Sequence, residues 1–154
     1  FIIVGQSTLN FPHKGAIMEY SKERMDDLMR AYDEYISSCD YIRMSEVYKI
    51  IVNMPSRRFW VSDIRAALII SAIMRGKTDL STMCPLKKEM YEEIYNRVLK
   101  LREECPELTI SELCAKVIAQ PAPKFYLTPG SAKVMVCKAR KQWIREKWKR
   151  LRLL

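Results

Sequence analysis

The fold is decided by the stretch Ser45-Glu-Val-Tyr-Lys-Ile-Ile-Val-Asn-Met-Pro55, which returns 66 residues later as Ser111-Glu-Leu-Cys-Ala-Lys-Val-Ile-Ala-Gln-Pro121. The correspondence continues without a gap, because Arg58-Phe-Trp-Val-Ser62 stands opposite Lys124-Phe-Tyr-Leu-Thr128. Each pair keeps its physical class: basic, aromatic, aromatic, aliphatic, hydroxyl. Self-similarity at a fixed offset is typical of a duplicated structural unit. We therefore expect two diverged copies of one helical unit.

Hydrophobic periodicity and capping residues predict three helices in the first copy. Ser21 is a suitable cap for a helix over about 22–38. A short helix would cover about 44–53 and stop before a proline. A third helix would begin after Ser62 and end at Gly76, since glycine is the usual residue just past a helix end.

The second copy repeats this plan with helices over about 87–104, 110–119 and 129–152, the last capped by Thr128. The predicted fold is all-α, with two tandem three-helix units packed as one compact domain. Met18 is a plausible natural start, so the residues before it are expected to be an arm or extension. The predicted organisation is an arm at 1–17, a first unit at 18–76, a linker at 77–86 and a second unit at 87–154.

The third helices of the two copies differ in character. In the first copy this helix is apolar nearly all round, which predicts a core element. In the second copy it is strongly basic and keeps one apolar stripe, expected to face inward. We expect one copy to act as scaffold and the other to bind. The members of the stripe are Val136, Ala139, Trp143, Ile144, Trp148 and Leu151.

Nearly all of the net charge lies at the end of the chain. The chain carries +9, and residues 132–154 hold nine basic side chains and one acidic one. Such asymmetry indicates an acidic partner: nucleic acid, an anionic membrane or an acidic protein. The plainer alternative is a solvated basic face without a partner.

Exposed Lys and Arg at helical spacing can follow a phosphate backbone, and such contacts position a protein without reading sequence. The two connections between second and third helices also interleave charge with aromatics, which would suit base stacking if exposed. Alternatively their aromatics fill the core and only the basic groups face water. The candidate nucleic-acid-binding residues are Lys133, Lys138, Arg140, Lys141, Arg145, Lys149, Lys124, Arg57 and Arg58.

Several classes of function find no support in the sequence. The five cysteines are odd in number and form no C-x-x-C, and the single histidine is His13, so neither a disulfide framework nor a zinc site is expected. We expect reduced thiols and a cytoplasmic protein. No apolar run reaches the length of a membrane span. Without a glycine-rich phosphate loop or a Cys–His pair, we expect no catalysis, cofactor or metal.

The paired motifs Pro55-Ser-Arg-Arg-Phe-Trp-Val-Ser62 and Pro121-Ala-Pro-Lys-Phe-Tyr-Leu-Thr128 carry a resemblance. From about Met18 to its end, the chain resembles a family of small, uncharacterised, basic proteins found on phages and conjugative elements of gut bacteria. The resemblance implies a mobile-element context but no particular activity or site. A looser likeness is to helix-turn-helix proteins, although the connection 54–61 is longer than the turn of that motif.

Three hypotheses follow. The favoured one is a nucleic-acid-binding accessory or regulatory protein of a mobile element, with DNA preferred, which predicts steep salt dependence. The second is a structural or adaptor protein that docks on an acidic protein partner or forms a homo-oligomer. The third and least favoured is binding to an anionic membrane surface, which a basic amphipathic helix with tryptophans could also achieve.

Overall fold

The computed structural model describes residues 14–77 and 80–152, with side chains from residue 20 onward. Within these ranges every regular element is a helix, which confirms the all-α prediction. The elements are α1 (Lys14–Ser38), α2 (Met44–Ile51), α3 (Asp63–Met74), a short 3₁₀ turn (Leu80–Thr82), α4 (Pro85–Glu104), α5 (Ile110–Ile118) and α6 (Pro129–Arg152). Residues 1–13 of the predicted arm lie outside the described part.

The start of α1 differs from the prediction. The helix begins at Lys14, so Ser21 lies inside it instead of capping it. The preceding residues include Ala16, Met18 and Glu19, which are strong helix formers, and nothing between them and Ser21 breaks the helix. A serine can occupy a helix interior as well as a cap, and the flanking residues decide between the two.

Three other predicted ends are confirmed by hydrogen bonds, while α2 ends two residues earlier than expected, at Ile51, and α4 begins two residues earlier, at Pro85. Ser62 accepts from the backbone N–H of residue 65 at 3.2 Å, and Thr128 Oγ1 accepts from that of residue 131 at 3.1 Å. Gly76 has φ +68° and, with Lys77, closes the end of α3 by donating to the carbonyls of residues 73 and 72. This pattern is a Schellman motif, which requires the left-handed conformation that glycine adopts without strain.

The core is divided into two clusters that do not follow the order of the chain. One cluster joins α1, α2 and the first turns of α6, and its fully buried residues include Leu28, Val47, Ile51, Ala132 and Val136. The other joins α3, α4 and α5, and includes Phe59, Ile70, Ile94, Leu113 and Val117. Each expected unit, 18–76 and 87–154, therefore gives two helices to one cluster and its third helix to the other.

The exchange takes place where the two connections pass each other. Ser56 and Ala122 form an isolated antiparallel bridge, and each donates its N–H to the other's carbonyl at 3.0 Å. On either side the N–H of residue 59 donates to the carbonyl of residue 118, and that of residue 125 to the carbonyl of residue 52, both at 3.0 Å. Consecutive helices α2 and α3 thus belong to different clusters, unlike the adjoining helices of a helix-turn-helix motif.

The expectation that α3 is buried all round is wrong. Ala66 and Ile70 are fully buried, but Ile64 and Leu68 are 48% and 61% exposed. The reason is that α4 and α5 contact α3 from one side. Composition alone does not reveal that an apolar helix has an uncovered side.

Candidate nucleic-acid interface

Helix α6 projects from the body of the protein. It has 24 residues, about 36 Å of helix. Ala132 and Val136 are buried against α1 and α2, Met135 and Ala139 are partly buried, and every side chain from 140 to 152 is exposed. More than half of the helix therefore stands in solvent on most of its sides.

This projection corrects the prediction of a continuous inward stripe. Val136 is buried and Ala139 half-buried, as expected. Beyond them Trp143, Ile144, Trp148 and Leu151 are 57%, 47%, 61% and 50% exposed. Periodicity shows that a helix is amphipathic, but whether another element reaches far enough to cover the apolar side depends on the tertiary arrangement.

The basic residues of α6 form an ordered surface. With 100° between successive residues, five cations fall on the side opposite Val136, at intervals of three or four residues. The rise along the helix axis from one to the next is about 4.5–6 Å. All five are exposed, and the ion pairs formed within the described ranges involve none of them. This cationic row consists of Lys138, Lys141, Arg145, Lys149 and Arg152.

Four of the nine candidate residues belong to the cationic row, and Arg152 completes it. Helix geometry places Lys133 and Arg140 elsewhere, on a flank nearer to the packed side. Arg140 donates from Nη1 to the hydroxyl of Tyr32 at 3.4 Å. The structure thus brings together the candidates that are three or four residues apart and separates the other two.

The candidates in the connections are engaged within the chain. Lys124 Nζ lies 2.6 Å from Glu89 Oε1 and 5.6 Å from the centre of the Tyr126 ring. Arg58 lies 5.2 Å from the centre of the Trp60 ring and donates to backbone carbonyls. These contacts hold the connections in place, so they leave less of either side chain for a ligand.

The aromatic residues of the two connections pack in the core. This agrees with the second interpretation of the sequence, in which they are not free to stack on bases. Phe59 is fully buried and Phe125 is 5% exposed, one in each cluster. Trp60 is partly buried and packs edge-on against Tyr20 at 5.6 Å. A base could not stack on the two phenylalanines without unfolding the region where the two connections pass each other.

One buried carboxylate was missed by the sequence analysis. Asp27 is 1% exposed and accepts from Arg30 at 2.7 and 2.9 Å, from the backbone N–H of Arg57 at 2.8 Å and from Trp60 Nε1 at 3.0 Å. Arg57 Nε also lies 3.7 Å from it. The only signal in the sequence is an Arg three residues after an Asp, which is common on helix surfaces. Arg57 therefore has a partner of its own in the body.

The buried thiol of Cys114 is held in its protonated form. Burial raises the pKa of the Cys114 thiol to about 11, so the thiol is protonated at neutral pH and is a poor nucleophile. All five cysteines are free. Among residues 14–77 and 80–152 no three Cys, His, Asp or Glu side chains are grouped as metal ligands would be. In the same ranges no helix combines the length and apolar character of a membrane span.

Comparison with models of protein families, with curated proteins and with solved structures finds no match for this chain. The resemblance to basic proteins of mobile elements therefore stays a prediction. Function has to be inferred from the geometry and charge of α6.

Proposed function

We propose that the chain is a nucleic-acid-binding accessory or regulatory protein that contacts phosphates through the cationic row, with duplex DNA as the preferred ligand. The observation that carries the proposal is a row of five exposed cations without ion-pair partners in the described ranges, on a helix that projects from the body. No catalytic role is part of the proposal.

The form of the row suits a phosphate backbone. Charges at regular intervals along one side of a rod can meet successive phosphates, and each contact releases condensed counterions. Because the cationic row lies on the side of α6 opposite the buried Val136, it can lie along or within a groove without displacing other elements. Lys and Arg contacts of this kind fix position and orientation but carry little sequence information.

We further propose that the two halves are diverged copies of one unit. The main-chain hydrogen bonds at the crossing support this, because residues 52, 56 and 59 and residues 118, 122 and 125 take matching roles at the 66-residue offset. The paired basic-aromatic motifs support a mobile-element context only through the resemblance described above. In this scheme the divergence of α3 and α6 separates a scaffold role from a binding role.

The test is fluorescence anisotropy of a labelled duplex, titrated with the chain at salt concentrations from about 50 to 200 mM. Five phosphate contacts predict a slope of log affinity on log salt of about −4.5. A variant with Lys138, Lys141, Arg145 and Lys149 changed to Ala should lose most of the affinity.

A matched control separates the row from net charge. Changing four exposed lysines of the body to Ala removes the same charge and should cost much less affinity; suitable positions are Lys77, Lys87, Lys100 and Lys116. Equal losses in the two variants would show attraction by net charge alone. No binding at the lowest salt concentration would overturn the proposal.

A second candidate function is that of an adaptor that docks on an acidic protein partner. The observation in its favour is the uncovered apolar surface of α6, formed by Ile144, Trp148 and Leu151. Phosphate contacts do not need apolar side chains, whereas protein interfaces are centred on them.

A further inference from the structure

Val134, Ile144, Trp148 and Leu151, four exposed apolar residues of α6, lie on one heptad pattern, with Cys137 and Lys141 at the two positions between them and the exposed Trp143 outside it. Successive positions of the pattern are separated alternately by three and four residues, as at the a and d positions of a coiled coil. Each of them is exposed, including Val134 at 67%. This heptad seam consists of Val134, Cys137, Lys141, Ile144, Trp148 and Leu151, and is about 26 Å long.

The positions that border the heptad seam are basic on both sides. In coiled coils the e and g positions flank the a/d seam and select the partner by charge. All six such positions in this segment are Lys or Arg: Lys133, Arg140 and Lys147 on one side, and Lys138, Arg145 and Arg152 on the other. The one acidic residue of the helix, Glu146, lies at position f, away from the seam.

We infer that the heptad seam binds an amphipathic helix of another protein, with apolar residues at its own seam and Asp or Glu at the flanking positions. Burial of Ile144, Trp148 and Leu151 would supply the apolar contact, and the basic flanks would meet acidic ones. Lys141 interrupts the seam, and a polar residue at an a position fixes the register of the pairing. An acidic residue in the partner helix opposite Lys141 completes the complementarity.

A second copy of this chain does not satisfy the charges. In a parallel pair the g positions of one helix face the e positions of the other. In an antiparallel pair g positions face g positions, and e positions face e positions. Both arrangements place Lys and Arg against Lys and Arg along the whole seam, which is unfavourable.

A bilayer surface fits the shape poorly. An interfacial helix buries a broad apolar face, whereas the heptad seam is only two positions per heptad wide and contains Lys141. The observations thus favour a narrow, helical, acidic partner.

The test uses a synthetic helical peptide of about 21 residues, three heptads, with Leu at a and d, Glu at e and g, and one Glu at the a position that faces Lys141. The control peptide has Ser at a and d and the same Glu residues. Calorimetry with the full chain should show the first peptide binding at least about tenfold more tightly than the control. Circular dichroism should show that it gains helix on binding. Equal affinity of the two peptides would overturn the inference.

Two tryptophans of α6 provide a matched pair of variants. Trp148 lies in the heptad seam and Trp143 outside it, and both are more than half exposed, so neither Trp148→Ala nor Trp143→Ala should unfold the body. Trp148→Ala should weaken peptide binding about tenfold, whereas Trp143→Ala should change it by less than about threefold. Equal effects of the two substitutions would contradict the inference.

Further outcomes identify the other occupants. If sedimentation shows a dimer of the chain that Trp148→Ala abolishes, the heptad seam binds a second copy and not a helix of another protein. If the chain binds vesicles of phosphatidylcholine and phosphatidylglycerol tightly and shows no preference between the two peptides, the heptad seam binds a membrane surface.

The inference specifies the partner of the second candidate function and does not rest on DNA binding. Trp148→Ala keeps every cation and should leave DNA affinity unchanged, while failure of the chain to bind DNA would leave the peptide result standing.

Discussion

Asp27 links the first connection, between α2 and α3, to α1. It is buried, and it accepts hydrogen bonds from the backbone of Arg57 and the indole of Trp60, both in the connection, and from Arg30 on its own helix. Arg30 in turn donates to the carbonyl of Pro55 at 3.0 Å. One carboxylate thus holds the start of the connection between α2 and α3 against α1.

Asp27→Asn keeps the size of the side chain but removes its charge, which leaves Arg30 without its buried counter-charge. We expect the free energy of unfolding to fall by about 3 kcal/mol, because breaking one partner of a buried pair is costly. Urea denaturation measures this change. Asp26→Asn, at the exposed neighbouring residue, should stay within about 0.5 kcal/mol of the parent. If both variants lose a similar amount of stability, the effect comes from the negative charge removed from α1 and not from the buried hydrogen bonds of Asp27.

High pH should destabilise the protein through buried groups that ionise more easily when unfolded. Burial raises the pKa of Tyr20 and Tyr126 to about 12 and that of Cys114 to about 11, from 10.0 and 9.0 respectively. A raised pKa in the folded state favours the protonated form, so its contribution is complete below the unfolded pKa and is lost as pH rises toward the folded one. The free energy of unfolding should therefore fall from about pH 9 upward.

Urea denaturation at a series of pH values, with reductant present, measures this decline. In Cys114→Ala the fall should begin about one unit later, near the unfolded pKa of tyrosine. A parent curve that stays flat up to pH 11 would contradict the assignment.

At the scale of helices, the ends of α3 and α6 offer a comparison of two glycines. A methyl group at Gly76 or Gly130 would meet no atom within 4 Å, so the two sites differ in backbone conformation and not in space. Gly76 has φ +68°, whereas Gly130 lies within the first turn of α6. Gly76→Ala should lower the free energy of unfolding by about 1 kcal/mol because of strain.

Gly130→Ala should raise the free energy of unfolding by about 0.5 kcal/mol, since alanine loses less backbone entropy in a helix. Thermal unfolding followed by circular dichroism measures both variants. A loss of stability in both would mean that the methyl groups meet steric resistance, against the geometry described here.

Much of the secondary structure could be predicted from the sequence, because local interactions determine it. Ser62, Thr128 and Gly76 define helix ends through hydrogen bonds to residues at most four positions away. The start of α1 was missed because several suitable starts precede Ser21 without a strong breaker. The capping box that Thr109 and Glu112 form at the start of α5 was not named in the sequence analysis.

Tertiary features could not be predicted in the same way. The sequence shows that α3 and α6 each have an apolar side, but periodicity does not decide which other helices each of them packs against. For the same reason the exposure of Trp148 and Leu151 was not foreseen. Four members of the cationic row were predicted because charge and helical spacing are local properties. The contact of Arg140 with Tyr32 joins residues 108 positions apart, so no local pattern indicates that Arg140 lies away from the row.

At the scale of the whole molecule, the exchanged third helices should make each half dependent on the other. Helix α3 completes the cluster of α4 and α5, and α6 completes that of α1 and α2. Residues 1–83 and 84–154, prepared as separate fragments, should each lack a cooperative unfolding transition, because each lacks a helix of its own cluster. An equimolar mixture should regain one.

Circular dichroism during thermal unfolding measures the fragments, their mixture and the intact chain. Cooperative unfolding of either fragment alone, at a concentration where sedimentation shows a monomer, would mean that its third helix can fold back onto its own unit. That result would contradict the dependence of each cluster on the exchange.

The two proposed ligands of α6 should exclude each other. The cationic row and the basic flanks of the heptad seam share Lys138, Arg145 and Arg152, and Lys141 belongs both to the row and to the seam. A partner helix on the seam would neutralise these side chains and cover part of the row, so nucleic acid would lose most of its phosphate contacts. We therefore expect the acidic seam peptide to release labelled duplex from the chain, in an anisotropy assay at constant salt.

The peptide with a serine seam carries the same flanking charges and tests whether charge alone is enough. It should release duplex only at concentrations about tenfold higher, since it lacks the apolar contact. Trp148→Ala should bind duplex like the parent but resist release by the acidic seam peptide. Simultaneous binding of peptide and duplex would mean that the two ligands use different sides of α6, whereas equal release by both peptides would mean that charge alone governs the competition.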